Sequence, residues 1–99
     1  MTIFPETLGG ARVLMVTPID TRHDATGATH HVSAGKLVAN IAALAIGQYA
    51  GEVSCYLFYC SSDWQVLTDT MHNSIAEAQA QAEFEFRGSS TTWQSRSPD

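Results

Sequence analysis

The stretch Val53 to Cys60 (VSCYLFYC), followed by Ser61-Ser62-Asp63 and then by Gln65 to Thr70 (QVLTDT), constrains this chain most. β-Branched and aromatic residues favour extended backbone, and Ser/Asp clusters between two such runs mark a reversal. The segment predicts a β-hairpin over about 53–70. With Ser61 opposite Trp64 across a tight turn, Phe58 faces Leu67 and Tyr56 faces Asp69 on one side. On the other, Tyr59 faces Val66 and Leu57 faces Thr68. Both faces then carry apolar groups, so both need cover.

Ser74-Ile75-Ala76-Glu77, just downstream, has the form of a capping box, in which the Ser hydroxyl accepts from the Glu77 amide. The Ala-rich course that follows predicts a helix over about 75–87, with Gly88 to close it. Ile75, Ala78, Ala82 and Phe86 fall on its sheet-facing stripe. Upstream, Pro5 and Gly9-Gly10 interrupt regular structure, and Arg12 to Thr17 predicts a short buried strand stopped by Pro18. The run Leu37 to Ile46 is apolar except for Asn40, and Ser33 is a plausible N-cap. The expectation is a buried helix over about 34–48, closed near Gly47 or Gly51. The fold class expected is therefore α+β: a small antiparallel sheet built on the hairpin, with two helices, in one domain over 1–99 with flexible ends at 1–10 and 95–99. So apolar a first helix needs cover on most sides, which predicts a homodimer.

Ten acids against five bases give a net charge of −5, and residues 52–99 carry the whole excess, with seven acids against Arg87 and Arg96. Nucleic acid is bound through basic surface that displaces phosphate counterions, and no Lys/Arg cluster is present to supply it. Anionic membrane is disfavoured for the same reason. The ten-residue apolar run is half the roughly 20 residues a bilayer span needs. The N-terminus lacks a basic stretch followed by an apolar run of signal-peptide length, so the cytoplasm is the expected compartment. Cys55 and Cys60, five positions apart in one strand, point to opposite faces and are expected as reduced thiols.

Residues 56–93, read as YLFYC, then WQVLTDT-x-H-x-S, then QAEFEF and a final Trp, resemble a group of short uncharacterised bacterial proteins sharing this hairpin-then-helix segment. That resemblance implies the local fold and assigns no catalytic residue. The strand-strand-helix order is also similar, in topology alone, to HicB-type antitoxin domains.

Several constellations carry chemical potential. His23, Asp24, His30 and His31 share the polar loop 20–31 and are residue types that zinc accepts, although their spacing fits no metal motif and a solvated loop is the plainer account of them. Asp69, His72 and Ser74 are the residue types of an acyl-transfer triad, but Ser74 is explained as a helix cap. Cys60 near His72 would be a nucleophile only with a lowered pKa. Gly27 and Gly35-Lys36 lack the spacing and the following Ser/Thr of a phosphate loop. Glu77, Glu83 and Glu85 form an acidic helix surface near Asp63 and Asp69, either a solvated face or a docking surface for a basic partner. The leading expectation is a non-catalytic protein-binding module, of immunity or antitoxin type, with Asp63, Trp64, Asp69, Glu77 and Glu83 as contact residues and no cofactor. A small metal-dependent enzyme built on the His23–His31 loop and a purely structural subunit are the alternatives.

Overall fold

The structure, a computed structural model, describes residues 4–19, 24–25, 32–33, 36–37 and 41–95. Among the described residues it is dominated by one curled antiparallel sheet, a half-barrel with one α-helix laid on one face. The main strands are β1 (Thr7–Leu8), β2 (Ala11–Pro18), β6 (Ala43–Gln48), β7 (Cys55–Cys60) and β8 (Val66–His72), hydrogen-bonded in that order. Three short pieces lie between β2 and β6: β3 (Asp24–Ala25), β4 (Val32–Ser33) and β5 (Lys36–Leu37), of which β4 and β5 pair with each other. After β8 come helix α1 (Ile75–Glu85), β9 (Phe86–Arg87), a 3-10 turn at Ser89–Thr91, and β10 (Gln94–Ser95). β9 pairs with β3 and β10 with β2.

The run expected as a helix over 34–48 is instead β-structure in its described parts: β5 at 36–37 and the central strand β6 at 43–48. The physical reason is its position. β6 is an interior strand, paired to β2 and to β7, and its two faces pack into two core clusters, so both must be apolar. Ala43 and Ala45 enter one core cluster, Leu44 and Ile46 the other. A strand buried on both sides has no alternation to display, and its Ala-rich composition imitates a helix. Gly47 is no helix terminator. A Cβ there would stand 2.8 Å from the Phe58 ring and 3.1 Å from the Arg12 carbonyl, so glycine lets the ring lie flat on β6.

Tight turns account for most of the other glycines. Gly9 and Gly10 both have positive φ (56° and 90°) in the two-residue loop joining β1 to β2, the conformation that matches strand twist in a hairpin. The stretch before residue 11, expected as an irregular end, is thus paired in part. In β2 the register shifts between Val13 and Met15, leaving Leu14 as the extra residue. The bulge returns Val13 and Val16 to one face, where both are fully buried.

The 53–70 hairpin is present with a longer turn than expected. Ser61 and Gln65 pair through Ser61 N to Gln65 O at 2.9 Å, enclosing Ser62, Asp63 and Trp64, and Trp64 takes the left-handed conformation (φ 65°). After a bulge at Leu67, Phe58 opposes Asp69 and Tyr56 opposes Met71, two residues from the expected register. A slip of two leaves Thr68 and the residues after it on their intended faces, while the bulge moves Val66 to the face of Cys60.

One face of the sheet carries Leu8, Ala11, Val13, Val16, Ala45, Phe58 and Cys60, with Phe4, Tyr49, Tyr56 and Trp64 packed against them. On the second face Leu44, Ile46, Leu57 and Tyr59 lie under Ala78 and Ala82 of α1, with Ile75 and Phe86 beside them, as the helix stripe predicts. Ser74 caps α1, accepting from Glu77 N at 3.1 Å. The helix stops at Glu85, two residues early, because Phe86–Arg87 pairs with Asp24–Ala25. The segment after Gly88 is likewise structured: β10 lies along β2 and Trp93 packs into the second cluster.

Candidate functional site

β8 is the outermost strand of the sheet path, so its first face meets solvent at the rim. Alternation places Asp69 and Met71 on that face, opposite Phe58 and Tyr56, and the bulge at Leu67 adds Val66, opposite Cys60. All three are exposed, Met71 by 60%. The hairpin turn extends the surface. Asp63 is exposed at its tip and accepts from the Ser61 hydroxyl, and Ser61 Oγ in turn accepts from Gln65 N at 3.1 Å. Trp64, half-buried against the first cluster, holds the left-handed position where glycine is usual, a conformation that costs a bulky residue of the order of 1–2 kcal/mol.

The second face bears a polar chain instead. Tyr59, fully buried, donates its hydroxyl to Glu85, which is only 4% exposed and also accepts from Gln81 Nε2 at 3.0 Å. Thr70 touches the Tyr59 hydroxyl and bonds His72 Nε2 at 2.7 Å. Burial pushes the Tyr59 phenol far above its ordinary range, with the Glu85 carboxylate adding to it. The phenol therefore stays a donor, and the chain satisfies a buried carboxylate.

The residues singled out as candidates separate. Asp69 lies on the first face and His72 on the second, while Ser74 is engaged as the helix cap, so the triad is not assembled. Cys60 enters the first cluster and His72 pairs with Cys55 at the other end of β7. Both cysteines are free, buried and on opposite faces, as their spacing predicts. Burial raises the Cys60 thiol to about 12 and raises Cys55 as well, so neither is an activated nucleophile.

The three helix glutamates do not share one surface. Glu77 is exposed, Glu85 is buried, and Glu83 receives Ser90 N at 2.9 Å and Gly88 N at 3.0 Å. Those amides, Ser90 first, hold the Glu83 carboxyl below its ordinary value. Its charge therefore organises the turn after the helix. Of the metal candidates, His23, His30 and His31 lie outside the described residues, as does Gly27, and Asp24 is placed by its backbone in β3. Among the described residues no group of three or more metal-ligating side chains gathers. No described helix is long and apolar enough to cross a membrane.

Met71, Tyr49 and Glu52 escaped the sequence reading. Met71 would have emerged from the correct hairpin register, which places it beside Tyr56. Tyr49 and Glu52 were hidden because Gly51 was read as a possible close of the helix expected over 34–48 and not as the centre of a strand-to-strand turn. No protein-family model matches the chain, and no curated protein or solved structure proved similar to it.

Proposed function

We propose that this chain is a non-catalytic protein-binding module, of the immunity or antitoxin kind, that engages a basic partner through the first face of β8 and the hairpin tip. The observation that supports this most is Met71, 60% exposed on the outermost strand beside the exposed acid Asp69. An unbranched, polarizable side chain on a rim adapts to a partner's surface, and acids around it favour a basic one. Val66, Asp63 and Trp64 continue the surface toward the turn. The acid excess of residues 52–99 supplies the long-range field.

A homodimer does not belong to this proposal. Its motive was an apolar helix in need of cover, and Ala43–Gln48 of that run is a strand whose faces pack into two core clusters. Native mass spectrometry of the protein isolated from its host provides the test, with Met71→Glu and Asp69→Lys as variants. A retained partner that both variants release, at unchanged thermal midpoint, is expected. A host preparation without any retained protein overturns the reading, and a complex indifferent to both variants moves the interface elsewhere.

A further inference from the structure

The turn after β6 brings a second tyrosine onto the first face. Tyr49 to Glu52 closes with Glu52 N donating to Tyr49 O at 3.1 Å, and Gly51 supplies the positive φ (81°) that its third position requires. The Tyr49 ring then meets Tyr56 edge to face, centroids 5.2 Å apart at 83°, while its hydroxyl donates to the Gly9 carbonyl at 3.2 Å. Tyr56 stacks along β7 on Phe58 at 6.2 Å. Both tyrosines are half-buried, so part of each ring remains in water.

Two carboxylates flank this pair. Glu52 closes the turn that holds Tyr49 against Tyr56, and Asp69 stands diagonally across from Tyr56 on β8, where Met71 is the direct neighbour. Glu52 first, with Asp69 among the further contributors, raises the Tyr56 phenol above its ordinary value, in keeping with the acids' placement around the ring. Neither acid has an ion-pair partner among the described residues. Aromatic faces attract cations through their quadrupole, and a guanidinium can stack on a ring while its N–H fork meets a carboxylate. An ammonium matches only the charge.

We propose that Tyr49, Tyr56, Glu52 and Asp69 form a seat for one arginine side chain of the basic partner, with Met71 packing on its aliphatic stem. This rests on the protein-binding reading and adds its anchor. The seat can be probed without the partner, by NMR titration of the full chain with a blocked glycine peptide carrying one central arginine, and with its lysine counterpart. Amide shifts confined to 49–56 and 69–71 are expected, with binding weakened about three- to tenfold by Glu52→Gln or Tyr56→Leu, and with the lysine peptide weaker by a similar factor. Shifts spread equally to Asp63 and Glu77, equal binding of the two peptides, or indifference to the exposed Glu52→Gln change would each overturn the seat. A retained host partner that Met71→Glu releases but Glu52→Gln and Tyr56→Leu leave bound would also overturn it, with the binding module itself left standing.

Discussion

Phe58 and Gly47 show how one residue licenses another. The Phe58 ring occupies the space that a side chain at 47 would fill, with the Arg12 carbonyl closing the other side. Gly47→Ala must displace a buried ring or backbone, an overpacking cost of about 1–3 kcal/mol. The variant should therefore show a lower urea midpoint at unchanged slope, and an unaltered midpoint would mean the ring has free room. Glycine at this point was visible in the sequence, but its reason was not. Only the pairing of β6 with β7, which sets Gly47 across from Tyr56 and beside Phe58, reveals a contact rather than a helix end. Cys55 and Cys60 are the opposite case, since an odd separation within a strand places them on different faces whatever the register.

Helix α1 was legible almost throughout because its signals are local. Ser74 and Glu77 are three residues apart, and the Ala78–Ala82 spacing marks one face at a helical period. Its far end depends on distant contacts. The Glu83 carboxylate gathers the Gly88 and Ser90 amides, a role its position on an acidic stretch did not suggest. With the folded pKa below the unfolded one, the stabilisation is present above the ordinary carboxylate value of 4.5 and lost as pH falls through the folded pKa. Glu83→Gln keeps an acceptor and removes the charge. The thermal midpoints of wild type and variant should differ at neutral pH and draw together as pH falls below 4.5, as a lowered carboxylate pKa requires. A difference that stays constant across that range would remove Glu83 from this role.

At the scale of the whole molecule, strand β2 receives both ends of the described chain, β1 along its first half and β10 along its second. Trp93 seals the second cluster from there, and Thr92 meets the buried Thr17 hydroxyl. Ending the chain at Gly88 removes these contacts and leaves the Met15–Val16 edge bare. Loss of the Trp93 ring alone is expected to cost about 3 kcal/mol, the lower end for a core tryptophan because this one is only partly buried. The shortened chain should unfold at clearly lower urea and scatter light at raised concentration as its open edge pairs with neighbours. Unchanged behaviour would show that β10 only rests on the sheet. The sequence by itself determined the hairpin, the cap and stripe of α1, the strand at 12–17 and the opposed thiols, because each depends on residues a few positions apart. Tertiary structure alone decided that 43–48 is the central strand, that the hairpin register lies two residues along, and that Tyr49, Glu52, Tyr56 and Asp69 share one surface. Those outcomes depend on which distant strands flank β6 and on the length of a turn held by Trp64. An apolar run without alternation is compatible with either helix or strand until its neighbours are in place.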